Sequence, residues 1–186
     1  MKIFMPEHSK ATYLADFVLY GIAIVTLAVF LLMAGPQDQA LEMFFLVLLG
    51  LLAWTGVEYL IHRVILHGVQ PFQRWHEEHH RRPSAHIRTP TILSASLFLS
   101  LIFLPLLLFW GNLWRACSLT LGLLAGYLMY AITHHAIHHW RTDSAWLKRR
   151  QHWHGSHHDL EEIGRYGVTS RFWDRVFGSA GDSHKK

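Results

Sequence analysis

The chain has 186 residues, of which 51% are hydrophobic and only 16% charged. Its single cysteine, Cys117, excludes an internal disulfide and a cysteine-built metal site, and the apolar content excludes a disordered chain. The formal charge of +4 would suit nucleic acid as a partner, but the bases lie beside apolar blocks, where Lys and Arg mark a membrane face instead.

Taken in chain order, four apolar blocks stand out. The first, 17–34, holds no charge; the second, 43–57, extends to 61 across Glu58. The third, 91–110, is also uncharged, and the fourth, 113–133, is broken only by Arg115. At 1.5 Å per residue, roughly 20 residues cross a hydrocarbon core of about 30 Å. The blocks therefore predict an all-α integral membrane protein with four transmembrane helices, at about 17–34, 41–61, 91–110 and 113–133. Strands are excluded because four of them would leave open edges in lipid. The whole of 1–186 is expected to form a single domain. Block one has a rival reading as a signal peptide behind Lys2 and Lys10, but its apolar run exceeds the usual 7–15 residues of such a segment.

Parity sets the topology. With four crossings, segments 62–90 and 134–186 share a side with the N-terminus. They carry Arg63, Arg74, Arg81, Arg82, Arg88, Arg141, Lys148, Arg149 and Arg150. The opposite side has 35–42, with Asp38 and Glu42, and the turn at Gly111 and Asn112. The positive-inside rule puts the basic segments and both termini in the cytoplasm. Trp110 and Trp114 suit the far interface.

The sequence holds 16 histidines, and all but His8 and His184 fall in the segments after blocks two and four. They form His62 with His67; His76, His79 and His80; His134, His138 and His139, with His135 between; and His154, His157 and His158, with His152 just before. Spacings of three and four place imidazoles on one helical face, whereas a spacing of five suits a helix end leaving the bilayer. One such histidine would be a surface or buried polar group. Eleven at these spacings, on one side, would repel one another if charged and make sense if neutral and metal-bound. They are too many for one zinc, which takes three or four ligands, and fit two ions of about five nitrogens each in a cytoplasmic, helical, histidine-rich cap spanning 62–90 and 134–179. Two other classes compete. His76-Glu77-Glu78-His79-His80 satisfies the zinc-protease pattern, with His76 and His80 as ligands and Glu77 as base, but leaves the other clusters without work. A metal transporter would carry ligands inside the apolar blocks, which hold no histidine.

These residues resemble the fatty acid hydroxylase and sterol desaturase superfamily of membrane-bound, histidine-rich oxygenases. Glu58-Tyr59-x-x-His62-Arg63-x-x-x-His67 is similar to its first box, and His76-x-x-His79-His80 with Pro83 and Arg88 to its second. His134-x-x-x-His138-His139 and His154-x-x-His157-His158 resemble the third and fourth. Tyr166-Gly-Val-Thr-Ser170 and Trp173-Asp174-Arg-Val-Phe177-Gly178-Ser179 resemble the closing signatures. The resemblance runs from about residue 54 to 179.

It implies a monooxygenase of lipid metabolism that hydroxylates or desaturates a lipid chain with two iron ions, dioxygen as co-substrate and two electrons from a partner. Carried over, the metal ligands are His62, His67, His76, His79, His80, His134, His138, His154, His157 and His158; His139 competes with His138, which is favoured. Zinc can replace iron in a purified protein. Glu58 is expected either to orient a ligand imidazole or to face water. Trp173, Asp174 and Phe177 are expected to fix the C-terminal segment. Arg81, Arg82 and Arg88 would serve as positive-inside charges, or attract anionic headgroups or an acidic electron carrier. The pattern looks closest to fatty acid or ceramide 2-hydroxylases; sterol and carotenoid enzymes share much of it. The length leaves no room for a fused electron-transfer domain, so a separate cytochrome b5-like protein or a ferredoxin, with its reductase, is expected. Small size and the absence of a K-K-x-x or K-D-E-L-type tail lean towards a bacterial inner membrane over the endoplasmic reticulum.

Overall fold

A computed structural model describes residues 7–159 and 164–181; Lys2 and His184 lie outside them. The described residues are helical, with no strand beyond an isolated bridge between Glu7 and Ile87. Helix α1 is Lys10–Ala34 and α2 is Ala40–Leu60, entered through a 3-10 turn at Gln37–Gln39 and continued by a π-helical turn, Ile61–Leu66. Next come α3 (Phe72–Arg81) and α4 (Thr91–Leu97), which a second π-turn (Phe98–Phe103) joins to α5 (Leu104–Trp110). The series ends with α6 (Leu113–His139), α7 (Ala145–His157) and the short α8 (Phe172–Val176).

Among the described residues four stretches are long and apolar enough to cross a membrane: Lys10–Ala34, Gln37–Leu66, Thr91–Trp110 and Leu113–His139. The third matches the expected 91–110, whereas the other three begin or end beyond the expected limits, because an apolar block marks composition while a helix continues wherever its backbone bonds are made. Thus α1 starts seven residues early, at Lys10, where the Ser9 side chain accepts from Thr12 N at 3.2 Å. The fourth span does not stop at Thr133 but runs on to His139. Ala136 and Ile137 in that extension bury against Leu147 of α7 and Val168. The π-turn in the third span precedes Pro105, whose ring excludes a normal bond to the carbonyl four residues back.

The chain divides into two compact units. One comprises His8–Trp54 and Thr89–Leu128. Within it Leu31, Cys117 and Leu121 form a core with Met43, Val47 and Phe103. Helices α2 and α6 touch here through glycine: a Cβ on Gly50 would meet Leu119 O at 2.4 Å, and one on Gly122 would meet Val47 O at 2.1 Å. Small residues at such a crossing let two backbones approach, the usual device where lipid supplies no hydrophobic drive between helices. The second unit comprises Thr55–Arg88 and the described residues from Met129 onward, with Glu7. It holds the histidine clusters.

Candidate metal centre

Two groups of imidazoles converge in the second unit. His62, His67, His76, His80 and His157 form the first group, and His79, His134, His138 and His154 the second; within each, one ring nitrogen per residue lies within 4.8 Å of all the others. His158 adjoins the second, its Nε2 3.1 Å from that of His154, and its ring stacks on His80 at 4.2 Å.

Helix geometry explains the partition. In α3, His76 and His80 are four apart and share a direction, so both enter the first group; His79, three from His76, points to the second. Helix α7 inverts the pattern: His154 and His158 point to the second group and His157 to the first. His134 and His138 are again four apart, on α6, with Nε2 atoms 3.2 Å apart. The spacing of five between His62 and His67 falls on the π-turn Ile61–Leu66, whose wider winding brings residue i+5 back onto the face of residue i. The π-turn also closes the second apolar span, Gln37–Leu66, so this spacing lies at a helix end, as the sequence suggests.

The nitrogens converge as ligands of a common ion would. His76 Nε2 lies 2.9 Å from His62 Nε2 and 3.0 Å from His80 Nε2, and His67 Nε2 is 3.2 Å from His157 Nε2. In the second group His138 Nε2 is 3.1 Å from His154 Nε2. Two nitrogens about 2.1 Å from one ion stand about 3.0 Å apart at a right angle and about 3.4 Å apart at a tetrahedral one. Both nitrogens of His79 are buried without a hydrogen-bond partner among the described residues, an arrangement that is costly unless something else meets the lone pair. The residues present therefore fit a pair of metal ions.

Burial and like neighbours keep these groups neutral. His76, His79 and His154 are pushed well below the usual imidazole range, burial first and adjoining imidazoles second. Burial, then His157, lowers His67 to about 4; burial also takes His157 to about 4, and His80 falls to about 2. A neutral imidazole has a lone pair to give at physiological pH.

A loop from the closing signature supports the first group. His62 Nδ1 donates to Tyr166 O at 2.6 Å and His157 Nδ1 to Gly164 O at 2.7 Å, which fixes Nε2 as the free nitrogen of each. Two buried carboxylates hold that loop. Glu58 Oε1 accepts from Val168 N at 2.7 Å and Thr169 N at 2.9 Å, and Oε2 from the Thr169 hydroxyl. Asp174 accepts from Tyr166 N at 2.8 Å, Gly167 N at 2.9 Å and Ser179 Oγ at 2.9 Å. Glu58 thus neither touches a ligand ring nor faces water; it grips the backbone that does the orienting. Asp174 anchors the C-terminal segment as expected, Trp173 donates to Thr55 Oγ1 at 2.9 Å, and Phe177 stacks on Tyr59 at 5.4 Å. The anchoring carbonyls of Gly164 and Tyr166 were missed from sequence because main-chain oxygens carry no residue signal.

The remaining histidines and charges of these segments lie elsewhere. His139 joins neither group; its ring stacks on His135 at 4.5 Å and on His86 at 5.5 Å, since consecutive residues on a helix point about 100° apart and His138 takes the inward direction. His152 lies exposed. Glu77 is exposed and accepts from Gln73 Nε2 at 2.9 Å. Arg82 pairs with Glu78 at 2.6 Å and Glu7 at 3.0 Å.

Fold and site together define a histidine-rich, multi-pass membrane protein with two convergent imidazole groups. Residues 47–179 match the fatty acid hydroxylase family, and the chain belongs to it. It is 32% identical over 142 residues to a dihydroceramide fatty acyl 2-hydroxylase of Arabidopsis thaliana, covering 72% of this chain and 60% of that one. It is 33% identical over 161 residues to the ceramide very long chain fatty acid hydroxylase of Schizosaccharomyces pombe, covering 78% and 44%. The chain thus spans about half the length of these relatives. Among solved structures, the visible hydroxylase domain of full-length scs7p superposes with a TM-score of 0.75 at 25% identity, over 94% of this chain and 70% of that one.

Proposed function

We propose that the protein is a dioxygen-dependent, di-iron lipid hydroxylase that inserts oxygen into a C–H bond of a fatty acyl chain or a related lipid. The observation that carries this reading is the convergence of His62, His67, His76, His80 and His157, and of His79, His134, His138 and His154, in a chain of the fatty acid hydroxylase family. The first five would hold one ion and the other four, with His158, the second. Iron bound there supplies the oxidative chemistry, in which dioxygen, two electrons and two protons convert C–H to C–OH with release of water.

The chain's own residues supply the rest. Neutral imidazoles present their lone pairs, and the Tyr166 and Gly164 carbonyls fix the direction of His62 and His157. Burial of His62, His76, His79, His154 and His157 keeps bulk water from the ligands. Tyr166, whose ring centroid is 5.3 Å from that of His67, keeps its proton because burial raises its pKa. The substrate class follows the activity for which the relatives are named, and the electrons come from a separate cytochrome b5-like or ferredoxin partner. The basic segments face the cytoplasm by the positive-inside rule, and the whole chain acts as one hydroxylase-like domain.

The test is metal analysis of the detergent-purified protein expressed with iron, together with lipid analysis of the expressing cells. About two irons per chain and acyl chains heavier by one oxygen are expected, both lost in His157→Ala. Unaltered lipids in cells that hold the iron-loaded protein would overturn the hydroxylase reading.

A further inference from the structure

The two imidazole groups are supported very differently. In the first, two of five rings have Nδ1 committed to a carbonyl, at 2.6 and 2.7 Å. Those carbonyls belong to one short loop, itself gripped by Glu58 and Asp174. Arg63 adds a further hold, donating to Tyr59 OH at 2.6 Å while lying 5.9 Å from the Tyr166 ring centre. Among the described residues no Nδ1 of His79, His134, His138 or His154 has such a bond, and those of His79 and His154 are buried without any partner. Ligand imidazoles held through their second nitrogen are already turned towards the ion, whereas unheld ones must be ordered as it binds.

We infer that the two metal positions are unequal: the His62–His67–His76–His80–His157 position binds its ion first and more tightly, with Glu58 and Asp174 as its positioning residues, and the other position fills second. This rests on the two-ion reading above. Loss of such outer hydrogen bonds typically weakens a metal site by about 10- to 100-fold, so a separation of about that size between the two dissociation constants is expected. A consequence is that a half-loaded protein carries its ion on the loop-supported side.

The test strips the full-length, detergent-purified protein with a chelator and titrates Zn2+ back against a chelating indicator. Two ions should enter in two phases. The tight phase should survive His138→Ala and vanish in His67→Ala. Glu58→Gln should weaken the tight phase by about 10- to 100-fold and leave the weak one in place, a selective change that general loosening of the fold would not give. Two ions entering in a single phase, or a tight phase lost in His138→Ala and kept in His67→Ala, would overturn the inference with the two-ion reading intact. Fewer than two ions bound by the wild-type chain would overturn both.

Discussion

The unit holding the histidines and the unit made of His8–Trp54 and Thr89–Leu128 are built on opposite terms. In the former, position is set by directed bonds between residues far apart in sequence: Glu58 to Val168 and Thr169, Asp174 to Tyr166 and Gly167, Tyr59 OH to Ser179 Oγ at 2.9 Å. In the latter, Leu31, Cys117 and Leu121 meet through apolar contact, and Trp54, Phe98 and Tyr127 pack ring against ring at 5.4–5.8 Å. Its polar links include Tyr20 with Ser94 at 2.7 Å and Thr91 with Asp16 in one cluster, and Arg115 with Glu42 at 2.8 Å and Asn112 with Gln39 at 3.4 Å in another. Apolar contact tolerates exchange of one aliphatic residue for another of similar volume; a carboxylate gripping two amides does not. Precision sits where chemistry needs it, and elsewhere shape is enough.

Mutations can break this contrast. The largest effect is expected from His76→Ala or His154→Ala, each removing a buried nitrogen of one group: hydroxylated product should fall below detection, measured by mass spectrometry of cellular lipids. Asp174→Ala leaves the buried amides of Tyr166 and Gly167 without an acceptor and should cost about 3 kcal/mol, seen as a lower midpoint of thermal unfolding in detergent. Gly122→Ala forces α2 and α6 apart against a 2.1 Å contact and should cost about 1–3 kcal/mol in the same assay, without altering the metal content per folded chain.

Acid should sharpen the contrast further. In the metal-free protein His67 and His157 titrate near 4, against about 6.5 when unfolded. Above pH 6.5 both states are neutral there and nothing changes. Between about 6.5 and 4 the unfolded chain takes up protons that the folded one refuses, so stability falls as pH drops through that window. Far smaller is the exposed Arg115–Glu42 pair at 2.8 Å: Glu42→Gln should shift stability by less than about 1 kcal/mol.

Composition announced the four spans, because no soluble fold leaves four long apolar runs uncovered, and histidine spacing announced the convergence of imidazoles. The division of labour was harder to see. His79 and His80 are neighbours in sequence yet serve different groups, and His157 joins residues 77 to 95 positions earlier. Such pairing depends on how α3 and α7 are rotated, which no spacing within one helix encodes. The five-residue gap from His62 to His67 became intelligible only with the π-turn beneath it. The role of Glu58 was open in sequence because its partners, the amides of Val168 and Thr169, exist at every position of any chain.

The acceptors that orient His62 and His157 are main-chain oxygens. Every amino acid carries one, so exchanging the side chain of residue 164 or 166 does not delete the acceptor. A scan that replaces residues singly would therefore pass over this contact and score the carboxylates behind it instead. Only an edit that reroutes the backbone, an inserted or deleted residue between 164 and 169, addresses it directly.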